Sequence, residues 1–113
     1  MTYSIRLFQE IEEAKRIELE KIRTDLLDLT RQILTRMSPD IRAEEIYITG
    51  SLLVPFRFGK NSDIDIAVKG LPGEDYFPLL AHLEDLLPRT VEIIDLEDCR
   101  FKDKIIEKGL RIK

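Results

Sequence analysis

The residues best placed to do chemistry are Gly50-Ser51 and, after the segment Leu52–Ser62, Asp63-Ile64-Asp65-Ile66-Ala67-Val68. From Asp63 to Lys69 the chain alternates, with Ile64, Ile66 and Val68 on one side and Asp63, Asp65 and Ala67 on the other, the pattern of a half-buried strand. Residues two apart on a strand share a face, so Asp63 and Asp65 present two carboxylates side by side. Such a pair repels itself and, at neutral pH, needs a cation or a shared proton. Oxygen donors of this kind suit Mg2+, which commonly takes one or two carboxylates plus substrate phosphates and keeps waters. Gly50-Ser51 closes an expected strand over Glu45–Thr49. Glycine allows close backbone approach, and exposed N–H groups with the Ser51 hydroxyl can bond phosphate oxygens. A phosphate cradle plus paired metal ligands is the minimum equipment for attack on a nucleoside triphosphate. A lone Gly-Ser is a common turn and a lone Asp-x-Asp is often a solvated strand face. In this order, each at the edge of an expected strand, they point to a site.

The elements that must hold these residues can be read along the chain. Ile5 to Met37 contains no Gly or Pro and is rich in Glu, Lys, Arg, Leu and Ile, so it predicts a helix. Leu19, Ile22, Leu26, Leu29, Ile33 and Met37 recur at steps of three and four, which predicts one apolar stripe. A continuous helix of this length would run roughly 45–50 Å, more than a small domain can cover. Either it breaks near Thr24-Asp25 or its first half packs on another chain. Ser38-Pro39-Asp40 ends it, because the residue before proline avoids the helical region. Leu52–Ser62 is a connection, and Gly70-Leu71-Pro72-Gly73 a loop. Asp75 predicts an N-cap, Pro78 a first turn, and Leu80, Leu83 and Leu87 a core-facing stripe that Pro88 ends. Thr90–Leu96 predicts a further strand, and Lys102–Lys108 a last helix stopped by Gly109.

Bulk composition bounds the function. The 113 residues suit one domain with one modest core, and 43% hydrophobic with 35% charged residues is globular composition. A net charge of -4 argues against a protein that grips long nucleic acid, while a small nucleotide needs only a local basic pocket. Cys99 is the single cysteine and His82 the single histidine, which excludes an intrachain disulfide and a Cys/His zinc site. The start shows no signal-peptide apolar stretch and the chain no membrane-length apolar run, so a reducing, cytoplasmic setting is expected. His82, among leucines, reads as structural or surface, and acidic Glu97-Asp98 make Cys99 a poor nucleophile. Tyr47, Tyr76, Phe56 and Phe58 read as core or pocket wall, with Phe56 or Phe58 able to border a base, and Tyr3 as a surface tyrosine.

Gly50-Ser51 followed by Ser62-Asp63-Ile64-Asp65 resembles the signature of the DNA polymerase β-like nucleotidyltransferase superfamily, and most closely its minimal nucleotidyltransferases. The resemblance runs from about Ile46 to Lys113. It implies an α+β fold with a small mixed sheet, helices on one face and, here, an added long N-terminal helix. Residues 1–38 would be a helical extension and 39–113 the minimal core. Val91-Glu92-Ile93-Ile94-Asp95-Leu96 resembles the strand of the family's third carboxylate, with Glu92 at the metal-binding position. Asp95 is the alternative, although alternation puts it on the opposite face. Where the family commonly has arginines after Gly-Ser, this chain has Leu52, Leu53 and Val54, leaving Arg57 and Lys60 as the nearest cations for phosphate. By resemblance, Asp63, Asp65 and Glu92 would hold two Mg2+ ions, and Gly50 and Ser51 the leaving phosphates of ATP. AMP would pass to a hydroxyl on a small helical partner of the HEPN type, in a toxin–antitoxin pair. The alternatives are a catalytically weak module of the same fold that masks its partner, a small-molecule nucleotidyltransferase, and a homodimer through the N-terminal helix.

Overall fold

The computed structural model describes residues 4–113, so Tyr3 and the first three residues of the expected extension lie outside the described residues. Helix α1 spans Ile5–Met37 without interruption. Ser4 caps it, its Oγ accepting from the Leu7 N–H at 3.1 Å. Of the two alternatives, the break near Thr24-Asp25 does not occur, and the Thr24 hydroxyl donates to the Lys21 carbonyl within the helix at 3.0 Å. Residues 5–18 are exposed throughout, and they carry the structure out to a long dimension of 60 Å.

The buried arc of α1 differs from the expected stripe. Arg23, Leu26, Thr30 and Leu34 face inward, while Ile22 and Leu29 are 39% and 40% exposed. The core-facing arc is centred on a line that includes one threonine and one arginine. Thr30 is admitted because its hydroxyl bonds the Leu26 carbonyl at 2.7 Å. Counting apolar residues alone rotates the stripe away from these two.

Strand β1 (Glu45–Thr49) runs antiparallel to β2 (Ile64–Lys69), and β2 runs parallel to β3 (Val91–Asp95). Helix α2 (Tyr76–Leu86) makes the crossover between the parallel pair. Its buried line is Leu79 and Leu83 continued by Leu87, one position off the expected Leu80. Asp75 precedes α2 without capping it, because its carboxylate is taken by Arg42 at 2.9 Å. After β3 comes α3 (Lys102–Lys108) and a short strand, β4 (Leu110–Arg111), which pairs with β1. The sheet order is β3-β2-β1-β4.

Strand alternation divides the residues between two faces. Ile46, Ile48, Ile64, Ile66, Val68 and Val91 pack with α1 and α2, including Leu26 and Leu34 from the expected extension. Tyr47, Ala67 and Leu96 pack with Ile105 of α3 on the opposite face. The short α3 covers only part of that second face and leaves the ends of β1, β2 and β3 uncovered beside it. Among the described residues no helix is long and apolar enough to cross a membrane.

Candidate active site

Asp65 lies in the middle of the uncovered face. Its register partner on β1 is Thr49 and on β3 is Glu92, so Glu92 stands beside it across the parallel pair. Neighbouring strands are about 4.8 Å apart, which brings same-face side chains of register partners within reach. Asp63 lies one strand repeat before Asp65 on the same face. Burial, then repulsion from Glu92 and from Asp63, pushes the Asp65 carboxyl up from 3.8 to about 6. Asp95 points the other way. It pairs with Val68, and its carboxylate accepts from the Glu97 N–H at 3.0 Å. The acids that converge are therefore Asp63, Asp65 and Glu92.

Gly50 ends β1 with φ 79, a conformation that favours glycine. A Cβ at this position would overlap Asp65 Oδ2 and lie 3.2 Å from its Cγ. The Gly50-Ser51 turn, which opens a short 3-10 segment over Gly50–Leu53, is thus packed directly on the central acid.

The connection from this turn to Asp63 is held along its length. Arg23 of α1 donates to the Leu52 carbonyl at 2.9 Å and grips Glu20 through two bonds of 2.9 and 2.6 Å. Glu20 in turn accepts from the Phe56 N–H at 2.8 Å, which supports Phe56 at its positive φ of 62. Arg16 stacks over the Phe56 ring at 4.2 Å. Phe58 enters the core, and Arg89 lies over its ring while donating to the Gly59 and Ser62 carbonyls at 3.1 and 2.9 Å. The helix α1 therefore fixes the start of the connection and Arg89 its end. Neither role was visible in the sequence; the Glu20/Arg23 spacing of one helical turn was the available signal.

Neither a protein-family model nor a curated protein matches the sequence. Several solved structures are similar in fold, among them three of toxin–antitoxin pairs. A toxin–antitoxin crystal structure with AMP-PNP aligns at TM-score 0.56 and 24% identity, covering 74% of this chain and 71% of that one. A mutant MntA–HepT toxin–antitoxin carrying two Asp-to-Glu changes aligns at TM-score 0.55 and 23% identity, covering 73% and 70%. The MntA–HepT toxin–antitoxin itself aligns at TM-score 0.50 and 24% identity, covering 73% and 67%. The chain shares the fold of a chain in these toxin–antitoxin structures.

A cleft of about 600 Å³ opens beside Asp65, while Ser51, Asp63 and Glu92 are not in its lining. Its lining includes Gly50, Leu53, Val54 and Asp65 from the strand ends, and Phe101, Lys104 and Lys108 from α3 and its approach. Arg57 lines a different cleft, with Glu12, Lys15, Arg16 and Phe56 on the α1 side. Lys60 is exposed and lines neither. Phe56 and Phe58 lie under Arg16 and Arg89, and the aromatic that lines the Asp65 cleft is Phe101, with Arg100 5.7 Å from its ring centre. Sequence reading passed over Phe101, Lys104 and Lys108. Their spacing of three and four places them on one face of α3 and was the signal available.

His82 lies on α2 in a separate cleft with Asp40, Arg42 and Asp75, and Cys99 is half-buried under the second sheet face. Tyr47 is buried and donates to Glu45 at 2.7 Å, which together with burial pushes its phenol up.

The donor set at Asp63, Asp65 and Glu92 is all oxygen, on one face. Among the described residues no Lys or Arg forms an ion pair with any of the three. Mutual repulsion without a cationic side chain fits a hard divalent cation. Among the described residues no group of three or more His, Cys, Asp or Glu side chains is arranged so that it could hold a metal ion. Mg2+ commonly takes one or two carboxylates and completes its sphere with waters and substrate phosphates.

Proposed function

We propose that this chain is a Mg2+-dependent nucleotidyltransferase that moves AMP from ATP to an acceptor hydroxyl on a small helical partner of the HEPN type. It would act as the antitoxin of a toxin–antitoxin pair. The observation that carries the reading is the register that sets Glu92 beside Asp65, on the face where Gly50 packs against the same carboxylate. The likeness to toxin–antitoxin structures, one of them with AMP-PNP, supports the nucleotide and the partner.

Asp63, Asp65 and Glu92 would hold the metal, which when bound supplies positive charge against the triphosphate and the attacking oxygen. Gly50 and Ser51 bind the leaving phosphates through backbone N–H groups and the Ser51 hydroxyl. The acceptor oxygen forms a bond to the α-phosphorus as the bond to the bridging oxygen of pyrophosphate breaks. Glu92 receives the acceptor's proton. The clamp from Arg23 to Arg89 keeps the turn and the acids at fixed separation, so that positioning does much of the work. The acceptor is read as a tyrosine hydroxyl of the partner, as the resemblance to minimal nucleotidyltransferases implies.

The test is to incubate the purified chain with labelled ATP, Mg2+ and the candidate partner. Label should appear on a partner tyrosine and disappear with Asp63→Asn/Asp65→Asn. A second reading, a weakly catalytic module that only masks its partner, is favoured by Leu52, Leu53 and Val54 standing where the family commonly has arginines. It predicts a bound, inhibited and unlabelled partner.

A further inference from the structure

The loop after Gly50-Ser51 brings no cation to the site, since Leu52 is buried and Leu53 and Val54 form apolar wall. Arg57, the first arginine after the turn, lines the cleft on the α1 side. Yet a triphosphate carries several negative charges and would enter beside three carboxylates. The metal would offset part of that charge, and cationic side chains must come from elsewhere in the fold.

Helix α3 presents one face to the cleft. Phe101, Lys104, Ile105 and Lys108 all line it, together with Gly50 and Asp65. The two lysines are one turn apart on the same face. Both are exposed, and among the described residues neither forms an ion pair. Phe101 is 60% exposed at the mouth, although a large aromatic gains by covering its ring. Leu53, Val54 and Ile94 complete an apolar wall across from it. The cleft therefore joins an apolar and aromatic half to a pair of free ammonium groups, next to the phosphate turn. Few ligand classes combine those needs, and a nucleoside polyphosphate is one.

We propose that Lys104 and Lys108 of α3 bind the polyphosphate chain in place of the missing loop cations, and that Phe101 covers the nucleoside. This rests on the nucleotidyltransferase reading and names the residues that give it nucleotide affinity. It also gives α3 a purpose beyond closing the sheet. Ile105 anchors the helix against Tyr47 and Ala67, and Lys104 and Lys108, before and after it, line the cleft. Lysine is suited to the task because its ammonium acts as a mobile point charge on a long stem.

The test is calorimetry in Mg2+ with ATP, ADP, AMP and adenosine. The proteins are wild type, Lys104→Ala, Lys108→Ala, the double variant, Lys104→Arg/Lys108→Arg, Phe101→Ala and Arg57→Ala. Each lysine-to-alanine change should weaken ATP about tenfold, the worth of a charge-assisted contact. The loss should shrink from ATP to AMP and vanish for adenosine. The double arginine variant should retain ATP binding to within a few fold, and Arg57→Ala should bind as wild type does. Phe101→Ala should weaken all four ligands alike. Because both lysines are exposed, thermal melting should be unchanged, which separates a binding loss from misfolding. Wild-type ATP affinity in the double alanine variant would overturn the proposal while leaving the nucleotidyltransferase reading intact. So would a loss as large for adenosine as for ATP. Failure of the wild-type protein to bind any nucleotide would overturn both.

Discussion

Arg23 donates to the backbone carbonyl of Leu52 at 2.9 Å, joining the middle of the long N-terminal helix to the residue immediately after Gly50-Ser51. The guanidinium side chain is only 8% exposed, and its other donors are committed to Glu20. Replacing it leaves both a carbonyl and a carboxylate without their partner. Arg23→Ala should therefore cost about 2 kcal/mol, less than the ~3–5 kcal/mol of a fully buried pair because Glu20 retains some access to water. For a domain of this size that is a fall of about 10 °C in melting temperature. Lysine cannot reproduce the fork, so Arg23→Lys should recover little of it. A melt of either variant within a degree of wild type would show that the clamp bears no load.

The same clamp gives a pH signature. The side-chain bond to Arg23 is the largest influence on Glu20, and with the Phe56 N–H it holds the carboxyl at about 2, below its ordinary 4.5. A lowered folded-state value means that the folded protein keeps Glu20 ionised where the unfolded chain begins to take up a proton. The contribution is fully present above about 4.5 and is lost as the pH falls toward about 2. Glu20→Gln should therefore be less stable than wild type at neutral pH, with the gap closing between those values. Melting both proteins from pH 7 to pH 2 checks this, and a gap that stays constant down to pH 2 rules it out.

Much of the strand arrangement around these acids was legible in the sequence, because alternation is local. Strand alternation placed Asp63 and Asp65 together and sent Asp95 away, and Gly50-Ser51 stood where β1 ends. What the sequence hid depends on packing between distant segments. Arg23 and Thr30 are buried because specific carbonyls receive them, and no count of apolar residues anticipates that. Lys104, Lys108 and Phe101 reach the cleft only because α3 crosses to the second face of the sheet and β4 returns beside β1. That arrangement is a property of the topology and is invisible in the helix taken alone.

Asp65 should trade stability for function. Its carboxyl is raised to about 6 by burial and by Glu92 and Asp63, so above that pH the folded protein carries an uncompensated charge. Asp65→Asn removes the charge and keeps the shape. Without metal at pH 7.5 it should stabilise the protein by about 1 kcal/mol, discounted for the open side of the site. In the same variant, Mg2+ should no longer raise the melting temperature, whereas in wild type it should. Destabilisation of the metal-free variant would contradict the repulsion.

Gly50 gives a sharper steric test. Alanine there meets both a positive φ of 79 and the Asp65 carboxylate, so the turn and the acid cannot keep their present places together. The expected cost is about 1–3 kcal/mol, the usual range for a residue forced into that region. Nucleotide affinity should fall with it. Gly50→Ala combined with Asp65→Asn should remain destabilised, since the backbone conformation is still wrong, which distinguishes steric strain from charge.

The third carboxylate can be decided by comparing Glu92→Gln with Asp95→Asn. Glu92 is exposed, stands in register with Asp65 and is free of structural duties among the described residues, so its neutralisation should leave the fold unchanged. It should nevertheless lower Mg2+ affinity and AMP transfer, by tenfold or more on the scale of a lost charged ligand contact. Asp95 faces the other side of the sheet and caps the turn after β3 through the Glu97 N–H. Asparagine can accept the same bond, so Asp95→Asn should bind Mg2+ and transfer AMP as wild type does. Measuring metal affinity alongside transfer separates ligand loss from proton transfer. If Glu92→Gln bound Mg2+ normally but transferred slowly, Glu92 would act as the proton acceptor alone. If Asp95→Asn were the impaired variant, the register between β2 and β3 would have to be wrong by one residue.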